Sequence, residues 1–436
     1  MMWMAISTFL LTRLSPSHAL SSNIQSTPFQ AINVYNVPAF VGMGVTSILK
    51  DPSKTNNYHG TIQDECDFYV GTKRGKLKRV SMKHNSNECY KGDFTDIEDI
   101  NDVNGKKLKP YPIFSLLNTP KSSNAKENDL LAGGGDRFIT VWEAINKPNI
   151  SSVPSNKNTW TVKKQLGPHT GWVKDLASIS SKTDIMIFSI GCNCIEVWKR
   201  NKDYEHFCKL QIESSVGMGS TLSSDLLCLA TYIKDNDNDS SSYEYLFAGG
   251  VDGRLHRWAL DGSSFVNAGV ASSHDGRVND ILVCDQLKVL ISIGNDAYVN
   301  VRPITSNPFE EWSVASLYLD NSIISKSKNV VSSDHTLESS TSSIIKIIST
   351  SIIKEDSSRA IVAIGTSCGK VMLVEIIRSA DDKLNVSLLE DRIICIENDG
   401  AVHALDSFGT IDESNGCKVI IGHSGGLSIW NIDLLL

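Results

Sequence analysis

The 436-residue sequence predicts an all-β chain folded as a single seven-bladed β-propeller, its ring closed by an N-terminal strand that completes the last blade. Three observations predict it. One hairpin pattern, a short apolar strand, a Gly-rich tight turn and a second strand ending in Trp or a substitute, occurs seven times. The end points of the copies, Val80, Trp142, Trp198, Trp258, Arg302, Val374 and Trp430, lie 62, 56, 60, 44, 72 and 56 residues apart, about one four-stranded unit each plus loops of uneven length. Finally, an alternating strand early in the chain has no partner of its own.

In chain order the copies are FYVGTKRGKLKRV (68–80), LLAGGGDRFITVW (130–142), FSIGCNCIEVW (188–198), LFAGGVDGRLHRW (246–258), ISIGNDAYVNVR (291–302), VAIGTSCGKVMLV (362–374) and VIIGHSGGLSIW (419–430). Apolar and polar residues tend to alternate, as in Ile291-Ser292-Ile293 and Val299-Asn300-Val301-Arg302, which is the period of a strand. A central Gly, Gly pair or Gly-Asp is expected to supply the positive φ of a tight hairpin. A lone hairpin is not stable, and upstream of three copies an earlier strand has its own opening. HTGWVKDLASI (169–179), HDGRVNDILVC (274–284) and NDGAVHALDSF (398–408) superimpose without a gap. Their shared order is a polar turn, Gly, one free position, Val and an apolar strand, and this strand is expected to be the innermost of its unit.

These pieces resemble the WD-repeat β-propeller family over roughly residues 30–436. The matching parts are the His169 and His274 openings, the turn residues Asp136, Asp252 and Asp296, and Trp142, Trp198, Trp258 and Trp430. In that family the opening His, a strand Ser or Thr and the Trp are joined by side-chain hydrogen bonds, and the resemblance implies this for His169 with Trp198. The chain also departs from the pattern. None of its Trp residues precedes Asp, and Val80, Arg302 and Val374 stand for Trp in blades one, five and six. The turn Asp is missing from blades one, three, six and seven.

The last copy ends at Trp430, and Asn431–Leu436 are too few for a turn and an outer strand. An open edge would pair with other chains, so FQAINVYNV (29–37) is expected to complete blade seven. One ring over 29–436 accounts for the chain with no second domain. Residues 1–28 stand apart: MMWMAISTFLL is apolar, Arg13 is the only charged side chain before Lys50, and no acidic residue precedes Asp51. This suggests a transit peptide to a plastid or other organelle, similar to the two-part leader of algae with secondary plastids, with a disordered tail on a cytoplasmic protein as the alternative. The run is too short to span a membrane as a helix, so no membrane insertion is expected. Polar tracts at 54–65, 81–110, 234–242 and 325–343 read as loop insertions.

A net charge of −7 with no basic block longer than KKLKP (106–110) argues against nucleic acid as a partner. Ten cysteines are scattered along the chain, and Cys228, Cys284 and Cys395 sit in apolar strand context, as small buried hydrophobes do. Cys192-Asn193-Cys194 has no second pair at zinc spacing, so neither metal nor cofactor is expected.

GHSGG (422–426) matches the nucleophile-elbow pattern, but a strand follows it and His423 is the last His of the chain, so no base lies downstream of Ser424. Gly133–Gly135 opens a hairpin rather than a helix, which removes the phosphate-cradle reading, and Gly217–Gly219 has no helical pattern after it either. Glu310-Glu311 and Asp381-Asp382 read as solvated loop carboxylates. No catalytic constellation is legible, and the chain reads as a non-enzyme.

In a WD-repeat ring the turns leading into the inner strands and the tight hairpin turns share the channel face. The resemblance places there the free positions Trp172, Arg277 and Ala401, and the turn residues Lys73, Arg74, Arg137, Asn193, Arg254, Asn295 and His423. Trp and Arg dominate interface energies, and the cations make a locally basic rim. The expected function is a non-catalytic scaffold, a monomeric propeller within a complex, docking an acidic or phosphorylated segment of a partner protein on this face. The alternatives are a small-ligand-binding or enzymatic propeller using the central channel, and a substrate receptor of a ubiquitin ligase. That last role usually uses a Trp-Asp-x-Arg motif, which is absent here.

Overall fold

The computed structural model describes residues 31–36, 43–50, 65–84, 92–99, 111–119, 128–145, 159–180, 184–212, 225–233, 244–261, 264–305, 312–320, 346–396, 400–408 and 417–432. The expected leader (1–28), KKLKP, Gly217–Gly219, Glu310-Glu311 and most of the polar connections lie outside them, but 81–110, expected as a loop insertion, is corrected: residues 81–84 and 92–99 are paired strand. Within the described residues, β1 (Ala31–Asn36) is followed by blade one, β2 (Val45–Lys50), β3 (Glu65–Thr72), β4 (Leu77–His84) and β5 (Gly92–Asp99). Blade two is β6 (Ile113–Thr119), β7 (Asp129–Gly134), β8 (Ile139–Ile145) and β9 (Thr159–Leu166). Blade three is β10 (Val173–Ser180), β11 (Ile185–Gly191), β12 (Cys194–Lys199) and β13 (Glu205–Gln211). Blade four is β14 (Leu226–Tyr232), β15 (Glu244–Gly250), β16 (Arg254–Asp261) and β17 (Ser264–Ser272). Blade five is β18 (Val278–Cys284), β19 (Val289–Gly294), β20 (Tyr298–Pro303) and β21 (Ala315–Tyr318). Blade six is β22 (Ile347–Glu355), β23 (Arg359–Thr366), β24 (Lys370–Arg378) and β25 (Leu384–Cys395). Blade seven is β26 (Val402–Phe408), β27 (Cys417–His423) and β28 (Gly426–Ile432), with β1 as its fourth strand.

Each blade is an antiparallel meander in sequence order, and β1 pairs antiparallel with β28 from Ala31 opposite Ile432 to Asn36 opposite Ser428. The first strands of neighbouring blades touch all the way round, β2 to β6, β10, β14, β18, β22, β26 and back to β2. The expected closed ring, with the innermost strand first, is what the chain forms. No helix among the described residues is long and apolar enough to cross a membrane.

The core has no single centre. It divides into seven apolar clusters, one at each seam between blades, such as Leu131, Ile139, Val141, Val173 and Ile187 between two and three, and Val45, Phe68, Ile420 and Ile429 between seven and one. A blade therefore buries both faces, which is why its second strand is mostly apolar: β7, β11 and β19 are buried at every residue, Asp129, Ser189 and Ser292 included. Val80 and Val374, substitutes for Trp, are fully buried in these seams.

Glycine serves the seams more than the turns. A Cβ on Gly133 would lie 2.6 Å from Cγ1 of Val173 in the next blade, and one on Gly422 2.5 Å from Cγ1 of Val45 across the closing seam. Positive φ does occur in the hairpin turns at Gly75, Gly253, Gly369 and Gly426, but blades two, three and five place Arg137, Cys192 and Ala297 there instead, so the expectation that glycine supplies every such turn is corrected. Another correction concerns Cys395, which is exposed, because the last strand of a blade faces solvent on its outer side; Cys228 and Cys284 are buried as expected. Asp381 and Asp382 are not merely solvated: they form exposed ion pairs with Lys383 and Arg378.

Buried aspartates clasp three of the seams. Asp175 of β10 accepts the Leu229 N–H of blade four at 2.7 Å, Asp280 of β18 the Thr350 N–H of blade six at 2.8 Å, and Asp406 of β26 the Lys50 N–H of blade one at 2.9 Å. Burial pushes Asp175 and Asp406 up to about 6 and Asp280 up to about 7, against hydrogen bonds that favour the charged form. A carboxyl that holds its proton more tightly when folded makes folding more favourable as pH falls through the folded value, and the gain is complete below the unfolded value near 4. The buried histidines, which must stay neutral, oppose this over the same span, so the aspartate contribution is isolated by a variant: wild type is expected to gain melting temperature relative to Asp280→Asn when pH falls from about 8 to about 5.5. Thermal unfolding of both proteins at the two values checks this, and equal shifts of the two midpoints contradict it.

Candidate functional site: the channel face

The hairpin turns are hydrogen-bonded to the residues that lead into the inner strands of their own blades. Lys73 N–H reaches the Gly44 carbonyl at 2.9 Å, Gly135 that of Pro112 at 2.9 Å, Asn295 that of Arg277 at 3.0 Å, and Ser424 that of Ala401 at 3.1 Å. Turns and openings therefore share one face of the ring, as the resemblance implied.

Immediately inside that face every inner strand loses register with its neighbour after its first residue, between Val45 and Ser47, Ile113 and Ser115, Val173 and Leu176, Leu226 and Cys228, Val278 and Asp280, Ile347 and Ser349, and Val402 and Ala404. A bulge leaves a residue out of the ladder and re-aims its side chain. The position after the first strand residue is half-buried in all seven blades and holds Lys174 and His403, the polar Thr46 and Asn279, and the apolar Phe114, Leu227 and Ile348. This inner circle was not apparent from the repeats. Only its place, one residue after the Val of the opening grammar, was there to find it.

Trp172 is 55% exposed, and its ring stacks on Phe114 with centroids 5.7 Å apart. The Lys174 ammonium lies 4.1 Å from the Phe114 centroid and 4.6 Å from that of Trp172, a cation held against two aromatic faces. Burial and then the Arg277 charge lower the Lys174 pKa, partly opposed by Asp225. Arg277 is exposed and makes no ion pair with Asp275.

Of the other expected residues, Lys73, Arg74, Arg137 and Arg254 are exposed on this face, and Ala401, Asn193, Asn295 and His423 are half-buried there. Arg254 pairs with Asp252 at 3.7 Å, so its charge is partly spent.

Side-chain clasps hold the openings in place. In blade three the His169 Nδ1–H donates to the Arg137 carbonyl at 3.1 Å, the Ser189 hydroxyl donates to Nε2 at 2.7 Å, and the Trp198 indole N–H donates to Ser189 at 3.1 Å. This needs a neutral imidazole, and burial lowers the His169 pKa accordingly. Blade five repeats the device without Trp: His274 Nδ1–H donates to Asp296 at 2.8 Å, and Nε2 lies 3.0 Å from the Ser292 hydroxyl. Burial would raise Asp296, but the His274 hydrogen bond and charge outweigh it and hold its carboxyl below the ordinary range. Trp172 and Arg277 project three residues after these histidines. The two serines were missed, although each stands two residues before the Gly of its copy, in FSIG and ISIG.

Ser424 lies in a two-residue turn between β27 and β28, not at a strand-to-helix elbow. The structure nevertheless supplies a neighbour that a search downstream of Ser424 missed: His403 Nε2 is 2.9 Å from its hydroxyl, and the Lys73 ammonium is 3.2 Å from the same nitrogen. Burial, Lys73 and His423 together push His403 down to about 4. Such an imidazole is too weak a base at neutral pH, and taking the serine proton would put a second positive charge beside Lys73. The group reads as a cluster of donors rather than a hydrolytic dyad.

No family model matches the sequence, and no curated protein does either. Among solved structures the chain is similar to the RRP9 WD40 repeats, with a TM-score of 0.56 at 13% identity over 93% of this chain and 99% of that one. It is also similar to U3-55K, with a TM-score of 0.56 at 13% identity over 92% of this chain and 98% of that one. At such identity the likeness is one of fold. With its seven-blade ring and inner-strand-first blades, the chain has the β-propeller fold of those WD40-repeat structures.

Proposed function

We propose that the chain is a non-catalytic platform that docks a partner protein on its channel face. The observation that carries this reading is Trp172, a large aromatic more than half exposed on a rigid rim, backed by Phe114 and Lys174. A pre-positioned Trp loses little entropy on contact and is a common interface anchor. The cations Lys73, Arg74, Arg137 and Arg277 around it favour a partner segment of acidic character. The Ser424–His403 contact supports a binding role over a catalytic one, since that imidazole is too weak a base at neutral pH.

The test is affinity purification of the wild-type chain and of a Trp172→Ala, Arg277→Ala double variant from the same cells. The wild type is expected to recover a partner in near-stoichiometric amount and the double variant to lose it by at least about tenfold. A Lys202→Ala, Glu205→Ala control, altered in an exposed ion pair at the opposite end of blade three, keeps it. A wild type that recovers no partner, or a double variant that retains one, refutes the reading.

A further inference from the structure

At the channel mouth between blades seven and one, two donors are aimed at one lone pair. His403 presents Nε2 to the Ser424 hydroxyl at 2.9 Å and to the Lys73 ammonium at 3.2 Å. An imidazole nitrogen has a single lone pair, so Nε2 can accept from one of these donors at a time, and the other, exposed, can turn to solvent or a ligand. The charged groups that act on His403 are Lys73, from the β3–β4 turn, and His423 of β27, both basic. Its neighbours in the circle of bulge residues, Ile348 of β22 and Thr46 of β2, are uncharged. Lys73 and Ser424 are exposed while both histidines are half-buried, so the cluster opens to solvent above a partly dry floor. Charge-assisted hydrogen bonds are stronger there than on an open surface.

We propose that Lys73, Ser424 and His403 form a binding site for the phosphoryl group of a phosphorylated serine or threonine on the docked partner. The inference rests on the channel face being a docking surface and names the chemistry of one contact on it. A phosphate monoester offers an acceptor to each member of the cluster: one oxygen for the Lys73 ammonium, one for the Ser424 hydroxyl and one for His403, which becomes a donor when it takes up a proton. Its charge of nearly two matches Lys73 and a protonated His403 together. A carboxylate, with one charge and two oxygens, leaves one donor unmet, so the site prefers phosphoserine to glutamate.

The test is calorimetric titration of the full chain with O-phospho-L-serine, alongside the histidine C–H resonances. Wild type is expected to bind the probe, with Lys73→Ala and Ser424→Ala each weaker by at least about tenfold. Glutamate is expected to bind at least about tenfold more weakly than phosphoserine, and bound phosphoserine to move the His403 titration to higher pH. The Trp172→Ala, Arg277→Ala variant keeps phosphoserine binding, which separates this inference from the docking experiment. Absence of binding at about 10 mM probe, equal binding by wild type and Lys73→Ala, or an unmoved His403 titration overturns the proposal. Tighter binding of inorganic phosphate than of phosphoserine overturns it too, by assigning the site to the free ion. Lys73 and Ser424 are exposed, so neither substitution is expected to disturb folding.

Discussion

Removal of residues 1–36 is expected to open the ring and to cost on the order of 5 kcal/mol, about one for each of the strand-to-strand hydrogen bonds lost. Among the described residues β1 is the only partner of β28 on its outer side, in register from Ala31 opposite Ile432 to Asn36 opposite Ser428. β28 carries Leu427 and Ile429, which pack with Val45 and Phe68 in the seam that joins the last blade to the first. Without β1 that seam borders a blade of three strands, with an unpaired edge available to other chains. A chain lacking only residues 1–30 keeps β1 and is expected to melt like the whole. Thermal unfolding and size-exclusion chromatography distinguish the outcomes: the shorter chain melts much earlier and aggregates, or the clasp contributes little. A midpoint within a couple of degrees of the full chain, with a monomeric profile, rejects the account.

The ring was legible because its hairpins repeat the same local solution: all seven copies that end in Trp or a substitute are the second and third strands of successive blades. His169 could be joined to Trp198 for the same reason, since both ends of that clasp sit at fixed offsets in their repeat. Trp172 and Arg277 were found from the opening grammar, and both are exposed on the channel face. The cluster of Lys73, His403 and Ser424 was not found, because its members come from the first and last blades, and only ring closure brings them together. The same holds for Ser424: the His that contacts its hydroxyl lies upstream on the inner strand, where no motif spacing points. Glycine was misread in physical terms, since the strand-end glycines avoid a collision with another blade, and a sequence shows the turn more readily than the neighbour.

That collision gives the other large effect. Gly249→Ala is expected to cost about 3 kcal/mol, because its Cβ would lie 2.6 Å from Cγ1 and 2.8 Å from Cβ of Val278, and 2.7 Å from the Cys228 sulfur. None of these atoms can yield easily. Val278 and Cys228 are buried in the seam between blades four and five, and Val278 begins the inner strand whose opening presents Arg277. Val278→Ala alone leaves a void and costs about 2 kcal/mol. Combined, the two changes place the new methyl where the old one was, so the double variant is expected to be more stable than the sum of the singles by at least about 1 kcal/mol. Gly269→Ala is the contrast: nothing lies within 4 Å of its Cβ position, but its φ is +122°, so its cost is one of backbone conformation and does not couple to Val278. Denaturant unfolding of the four proteins in the Gly249 and Val278 cycle measures the coupling. Simple additivity means that blade five does not press on that glycine, and the seam account of the strand-end glycines fails; a coupling of the expected sign extends to Gly422, where the atom that would be struck is Cγ1 of Val45 and the seam is the one that shuts the ring.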